Sequence, residues 1–218
     1  AVAAAPGWGK AHLNLGIGLE ASGATDEAIK SYEAALALEP AEAFANYNLG
    51  KLLYTLGRLP RAEQLLRQAL GSRPEFPEAH IVLSRVLEAQ GNPGAAAVAL
   101  EAALKLRPDD IGALHHYAGV LGKLDRPDDA QAALKRVIAL DPENADANYS
   151  LATLLLARGE SDNAEPLLRR VIRRDPGSVE AHSRLFDIYH SRGDLPAAVA
   201  ALERVLALRP DWADALYN

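Results

Sequence analysis

The 218-residue sequence contains no cysteine and no methionine, and only 6% of its residues are aromatic. Without cysteine there is no disulfide, no zinc–thiolate site and no thiol nucleophile, and the redox compartment stays open. Without methionine the sequence does not begin at a start codon. Its first stretch, AVAAAPGWGK, lacks a charged leading region and a continuous apolar run, so it does not read as a signal peptide. We therefore expect the sequence to be a piece of a longer protein. No run of 18 apolar residues occurs, so no membrane span is expected. Positive charge is also in short supply. The formal net charge is -6 and the pI is near 5.5, which argues against a generic nucleic-acid binder. Apolar residues still make up 49%, carried mostly by alanine and leucine. That balance favours helices, because strands prefer β-branched and aromatic side chains.

What the sequence does contain is order among its prolines. Pro6, Pro40, Pro74, Pro108, Pro142, Pro176 and Pro210 are each separated by 34 residues. A fixed period of this length marks a repeat architecture. A 34-residue frame starting at Gly9 places each of these prolines in slot 32 and gives six complete repeats: 9–42, 43–76, 77–110, 111–144, 145–178 and 179–212. Partial repeats remain at 1–8 and 213–218. Slot 20 is alanine in all six frames: Ala28, Ala62, Ala96, Ala130, Ala164 and Ala198. Slot 8 is small in five frames (Gly16, Gly50, Ser84, Ala118, Ala152) and Phe186 in the last. Slot 15 is glycine in five and Asp125 in the fourth.

Slots 4, 7, 8 and 11 fall on one helical face, and slots 20, 24, 27 and 28 repeat that spacing, so each frame predicts two helices. The glycine between them supplies the positive φ that ends the first helix. Small residues at slots 8 and 20 let the two backbones approach closely. The proline stops the second helix and sets the turn into the next frame.

This pattern resembles the tetratricopeptide repeat over the whole chain. The resemblance implies an all-α fold, a right-handed superhelical solenoid of antiparallel helix pairs, whose first helices line a concave groove. The departures are local. Slot 4, an aromatic in the family, holds His12, Asn46, His80, Leu114, Asn148 and His182. Slot 11 is mostly leucine, and Tyr189 is its only tyrosine. Phe186 is expected to force repacking and to widen the last helix pair. With Asp162 as N-cap, Pro166 would remove the first intrahelical bond and kink the start of its helix. Asp109–Asp110 and Asp128–Asp129 fall at turns, where carboxylates cap helices.

The groove-facing slots of the first helices carry the candidate partner-binding residues: Asn14, then Phe44, Tyr47, Asn48, Lys51 and Tyr54, then Arg85, His115, His116, Tyr149 and Arg184. The second frame is the richest. Its mixture of aromatic area and hydrogen-bonding groups suits an extended peptide. The competing reading is that Phe44 and Tyr47 cover a neighbouring helix. In the fourth frame Gly112, Gly119 and Gly122 surround His115 and His116, either as a shallow notch for a ligand or as a soft helix held by its neighbours. Asn14 and Asn48 share slot 6. An asparagine ladder there resembles the repeat region of O-linked N-acetylglucosamine transferases, where such amides hold a peptide backbone. The ladder is broken by Val82, His116, Ser150 and Arg184, so the likeness extends to Asn14 and Asn48 alone. The carboxylate clamp of chaperone-binding members is absent: Leu13, Ile17, Glu78 and Val82 stand where it needs polar or basic residues, and only Asn48 matches.

No HExxH, phosphate-binding loop or nucleophile elbow is present. His12, His80 and His182 are two or more repeats apart, too far to share a metal. We expect no catalysis, no cofactor and no metal. Arg169–Arg174 reads as a solvated face that complements a helix C-terminus. The reading that follows is a protein–protein interaction scaffold, with a peptide or partner segment in the groove and with no nucleic acid. Two alternatives remain. One is the substrate-recruiting arm of a larger enzyme such as a glycosyltransferase. The other is end-to-end self-association through the open C-terminal end, where Leu216 and Tyr217 lack a covering helix.

Overall fold

The computed structural model describes residues 8–210. They form twelve α-helices with no strand among the described residues. The helices are α1 (Trp8–Ala21), α2 (Thr25–Leu38), α3 (Ala43–Thr55), α4 (Leu59–Ser72), α5 (Pro77–Ala89) and α6 (Pro93–Leu106). They continue with α7 (Ile111–Lys123), α8 (Pro127–Leu140), α9 (Ala145–Ala157), α10 (Ser161–Arg174), α11 (Val179–Arg192) and α12 (Leu195–Leu208). Pro6, Leu216, Tyr217 and the partial repeats, apart from Trp8, lie outside the described residues.

The chain divides between Ala113 and Leu114 into two compact units. In the first unit α1 packs on α2, α3 on α4 and α5 on α6. Each pair meets the next through α2 on α3 and α4 on α5, and α3 touches both α1 and α5. In the second unit α9 packs on α10 and α11 on α12, with α8 against α9 and α10 against α11.

The punctuation follows from backbone chemistry. At slot 15, Gly23, Gly57, Gly91, Gly159 and Gly193 take φ between 72 and 81°, and Asp125 takes φ 55° in the fourth repeat. Aspartate is one of the few side chains that tolerates this region. The reversal brings the next N–H back onto the helix: Ala24 N–H donates to Leu19, Arg58 to Leu53, Asn92 to Leu87, Arg126 to Leu121, Glu160 to Leu155 and Asp194 to Tyr189. These six-residue closures satisfy carbonyls that a helix end otherwise leaves unpaired. At the other end, the residue before each slot-32 proline is extended. Glu39, Arg73, Arg107, Asp141, Asp175 and Arg209 have φ from -130 to -140° and ψ from 81 to 90°. The proline ring excludes the helical conformation from the residue before it.

Slot 4 is where the structure adds most to the sequence. The Asn46 amide donates to the Pro40 and Glu42 carbonyls at 3.0 and 2.9 Å. Asn148 repeats this on Pro142 and Asn144 at 3.0 and 2.8 Å. His80 and His182 place Nε2 3.1 and 3.2 Å from the carbonyls of Pro74 and Pro176. A carbonyl only accepts, so Nε2 carries the proton in both histidines. The polar residues that replace the family aromatic in the second, third, fifth and sixth frames therefore pin those first helices to the proline turn before them.

The close approach expected at slots 8 and 20 is present. A methyl at Gly16 would come within 2.5 Å of the Tyr32 ring, which is fully buried and donates its hydroxyl to Glu20 at 2.7 Å. Burial and the Glu20 carboxylate both push the Tyr32 phenol well above its ordinary range. At Gly50 the added methyl would lie 3.0 Å from Leu66 and 3.2 Å from the Ala62 carbonyl oxygen.

Three expectations need correction. Leu15 occupies a core slot yet is 52% exposed, on a side of α1 that no described helix covers. Asp162 is not the cap of α10: that helix starts at Ser161 and runs through Pro166 in its second turn. Asp162 instead pairs with Arg192 at 2.5 Å, and Asp128 pairs with Arg158 at 2.6 Å. Only Asp110 of the turn carboxylates singled out above caps its helix, accepting from Ala113 N–H at 2.9 Å. The Arg169–Arg174 cluster stays largely exposed, with Arg173 and Arg174 in the last turn of α10, and it also carries ion pairs from Arg169 to Glu165 at 2.7 Å and from Arg173 to Glu143 at 3.4 Å.

Arg158 and Arg192 belong to a recurring latch. The slot-14 residue at the end of a first helix reaches the slot-21 residue of the preceding second helix. Arg158 donates to Gln131 at 2.9 Å and Arg192 to Glu165 at 2.5 Å. Gln90 does the same to Glu63, whose carboxyl is held below its usual range by Arg67 and Gln90.

Two outcomes follow from this packing. Gly16→Ala should destabilise the chain by about 1–3 kcal/mol, because the methyl collides with a buried ring. Gly18→Ala, two residues along the same helix in open space, should stabilise it by up to about 1 kcal/mol. Urea unfolding of the two variants gives opposite signs if the packing is right. The second outcome concerns acid. Hydrogen bonds from Arg192 and Tyr189 and the charge of Arg169 outweigh burial and hold the Glu165 carboxyl low. Its contribution is full above the ordinary carboxylate range and disappears as pH falls through the lowered value. Glu165→Gln should flatten the acid limb of the stability–pH curve, as read from thermal midpoints.

Candidate functional site

In the first unit, α3 and α5 each present a stripe at helical spacing to a shared cavity of about 340 Å³. Tyr47, Lys51, Tyr54 and Thr55 come from α3; Glu78, Ile81, Val82 and Arg85 come from α5. Of the residues expected in a groove, the fold thus gathers Tyr47, Lys51, Tyr54 and Arg85. Val82 is buried and forms the floor with half-buried Ile81. Lys51 crosses to Glu20 of α1 at 2.9 Å. Glu78 is held by the Arg107 guanidinium. Burial, aided by the Glu78 and Glu20 carboxylates and opposed by Lys51 and Arg85, raises the Tyr47 phenol above its ordinary value. The hydroxyls of Tyr47 and Tyr54 and the amide of half-buried Asn48 make no hydrogen bond within the described residues. Asn14 is exposed on α1.

Phe44 lies elsewhere. Its ring meets Phe76 edge-on at 5.3 Å, and the Arg73 guanidinium lies 5.0 Å from both rings. This cluster lies at the turn between repeats, where Phe44 packs on Phe76 yet stays 44% exposed. Tyr47 does both jobs: its ring sits 4.8 Å from Phe76 while it lines the cavity. Phe76, with no part in the sequence expectations, is buried at 4% and anchors this corner.

In the second unit, His115 Nε2 lies 3.2 Å from Ser150 Oγ, which joins α7 to α9. Tyr149 and Arg184 line a separate cavity of about 340 Å³ with Glu180, Ser183, Phe186 and Asp187. Phe186 sits there half-buried, stacked on His190 at 5.6 Å, at the slot where the other repeats keep a small residue. His116 is not part of that cavity lining. His80 and His182 stay with their own turns, and no cluster of three or more metal-ligating side chains exists among the described residues. No helix among the described residues is long and apolar enough to cross a membrane.

Paired helices stacked at a fixed period, with polar and aromatic side chains gathered on the first helices, define a helical-repeat scaffold of a kind that is typically non-catalytic. Family models described as tetratricopeptide repeat match residues 13–75, 47–111 and 120–179, and a second such model matches 87–138 and 155–217. The chain belongs to the tetratricopeptide repeat family, whose members act as protein-interaction scaffolds. Among solved structures it is similar to MamA, at 25% identity and a TM-score of 0.71 over 76% of this chain and 97% of that one. It is also similar to YrrB, described as a tetratricopeptide-repeat protein with an unusual peptide-binding site, at 22% identity and TM-score 0.73, covering 85% and 96%. PilF of Pseudomonas aeruginosa shares 19% identity at TM-score 0.76, covering 93% and 92%. No curated protein sequence matches the chain significantly.

The glycines of α7 allow a direct test. Gly119 and Gly122 are exposed, and a methyl on either meets nothing within 4 Å. Alanine at each should therefore stabilise the helix by about 1 kcal/mol. If thermal midpoints rise and partner binding is unchanged, these glycines form no ligand notch.

Proposed function

We propose that this chain is an interaction scaffold that binds an extended peptide segment on the first-helix face of its first unit, over α3 and α5. The observation that carries the reading is the state of the polar groups there. Tyr47 and Tyr54 line a cavity with Ile81 and Val82, Asn48 follows Tyr47 on the same helix, and the side-chain hydrogen-bonding groups of all three are left unused among the described residues. Aromatic side chains that bring both area and a hydroxyl suit peptide recognition, and an amide beside them can donate to and accept from a peptide backbone at once. The comparison with YrrB supports the same use of the fold, since that protein is described as having a peptide-binding site.

The test is a pull-down from a cell lysate. Wild type runs beside a variant carrying Asn14→Ala, Tyr47→Ala and Asn48→Ala, shown by circular dichroism to keep its helices. A discrete protein retained by wild type and lost from the variant is the expected result. Equal retention by both, or by neither, refutes the groove as the working surface.

A further inference from the structure

The charges around the α3–α5 cavity are not equally engaged. Lys51 is neutralised by Glu20, and Glu78 by Arg107. Arg85 is exposed at the other end of the α5 stripe, and no carboxylate pairs with it among the described residues. It stands one turn beyond Val82, the buried floor of the cavity. The cavity thus offers an apolar seat and, beside it, a guanidinium whose donors are open. A guanidinium in that state favours a carboxylate, which it can bind through two parallel hydrogen bonds. The same field disfavours an incoming lysine or arginine.

We infer that this cavity selects a peptide segment bearing an aspartate or glutamate side chain next to an apolar residue, with Arg85 holding the carboxylate and Ile81 and Val82 seating the apolar group. The inference rests on the peptide-groove reading above and narrows it to one class of partner. The spacing limits the motif further. Val82 and Arg85 are separated by about 4.5 Å along the helix axis, from the 1.5 Å rise per residue. An extended peptide advances about 3.3 Å per residue, so the acidic and apolar positions lie one or two apart. Arg85 thereby differs from Arg158 and Arg192, whose guanidinium groups are already closed by Asp128 and by Asp162 and Glu165.

Phage display of random dodecapeptides tests this, because a displayed peptide fused at its C-terminus has no free terminal carboxylate and reports side chains alone. The library is panned against the wild-type chain, against Arg85→Glu, and against the double variant Tyr47→Ala, Asn48→Ala. Thermal midpoints first establish that all three fold. Wild type should enrich an acidic residue within two positions of an aliphatic or aromatic one, and Arg85→Glu should enrich lysine or arginine there instead. In fluorescence anisotropy with an amidated synthetic version of a selected peptide, Asp→Asn or Glu→Gln should weaken binding to wild type about tenfold, the size of one charged hydrogen bond. The same change should alter binding to Arg85→Glu by less than about twofold, since the charge partner is gone. Peptides that need Tyr47 and Asn48 but show no acidic preference, or the same preference with Arg85→Glu, overturn the inference and leave the groove reading standing. Peptides indifferent to the double variant, or no enrichment at all, overturn both. A light-scattering mass that falls with Arg85→Glu while nothing is enriched would assign the surface to a second copy of this chain and overturn both as well.

Discussion

Every repeat depends on one junction, the proline turn between a second helix and the first helix that follows. The ring forces the residue before it out of helical geometry, as at Glu39, where φ is -132° and ψ 81°. The helix must end there, and the chain must turn. The turn leaves the proline carbonyl as an acceptor outside the helical ladder. Asn46, Asn148, His80 and His182 supply the missing donor from the next first helix. The element that stops one helix therefore fixes the position of the following one. Stacking at a constant period is the structural result, repeated wherever proline and a slot-4 donor coincide.

The same logic separates polar side chains that hold the array from those free for a partner. Along the ends of the first helices, Gln90, Arg158 and Arg192 close onto Glu63, Gln131 and Glu165 of the preceding second helix. At the same junction of the first two repeats the pair is apolar, Leu56 with Ile29. These contacts are matched within the fold. On the face formed by α3 and α5 the matching stops: Lys51 and Glu78 are neutralised, while Tyr47, Asn48, Tyr54 and Arg85 are not. Ion pairs at exposed sites contribute little to stability, typically about 0–1 kcal/mol, so their arrangement matters more for what they leave open.

Much of the fold was legible because its signals are local. The positive φ demanded at slot 15 and the stop at slot 32 act within a few residues, and glycine and proline announce them directly. Asp125 stood in the sequence only as an exception to glycine, and its φ of 55° supplies the reason, since aspartate is one of the few residues that tolerates that region. The site was only partly legible. Tyr47, Lys51, Tyr54 and Arg85 meet at one cavity, but Phe44, although in a groove-facing slot by helical count, turns to Phe76 and Arg73. The slot-4 donors were visible merely as departures from an aromatic, since their acceptors lie in the turn of the preceding frame.

The sequence by itself determined the period, the two helices per repeat and the turns that join them, because the dihedral limits of proline and glycine do not depend on what surrounds them. Tertiary structure alone decided which polar groups are consumed. Asn46 and Asn48 are chemically identical and two residues apart, yet one is buried on a turn carbonyl and the other is half-buried with its amide unused among the described residues. Arg85 and Arg192 are likewise the same group, and one is open while the other binds two carboxylates. Hydrogen bonds and ion pairs act over a few ångströms in space, and the partners of Arg158 and Arg192 stand 27 to 30 residues away along the chain.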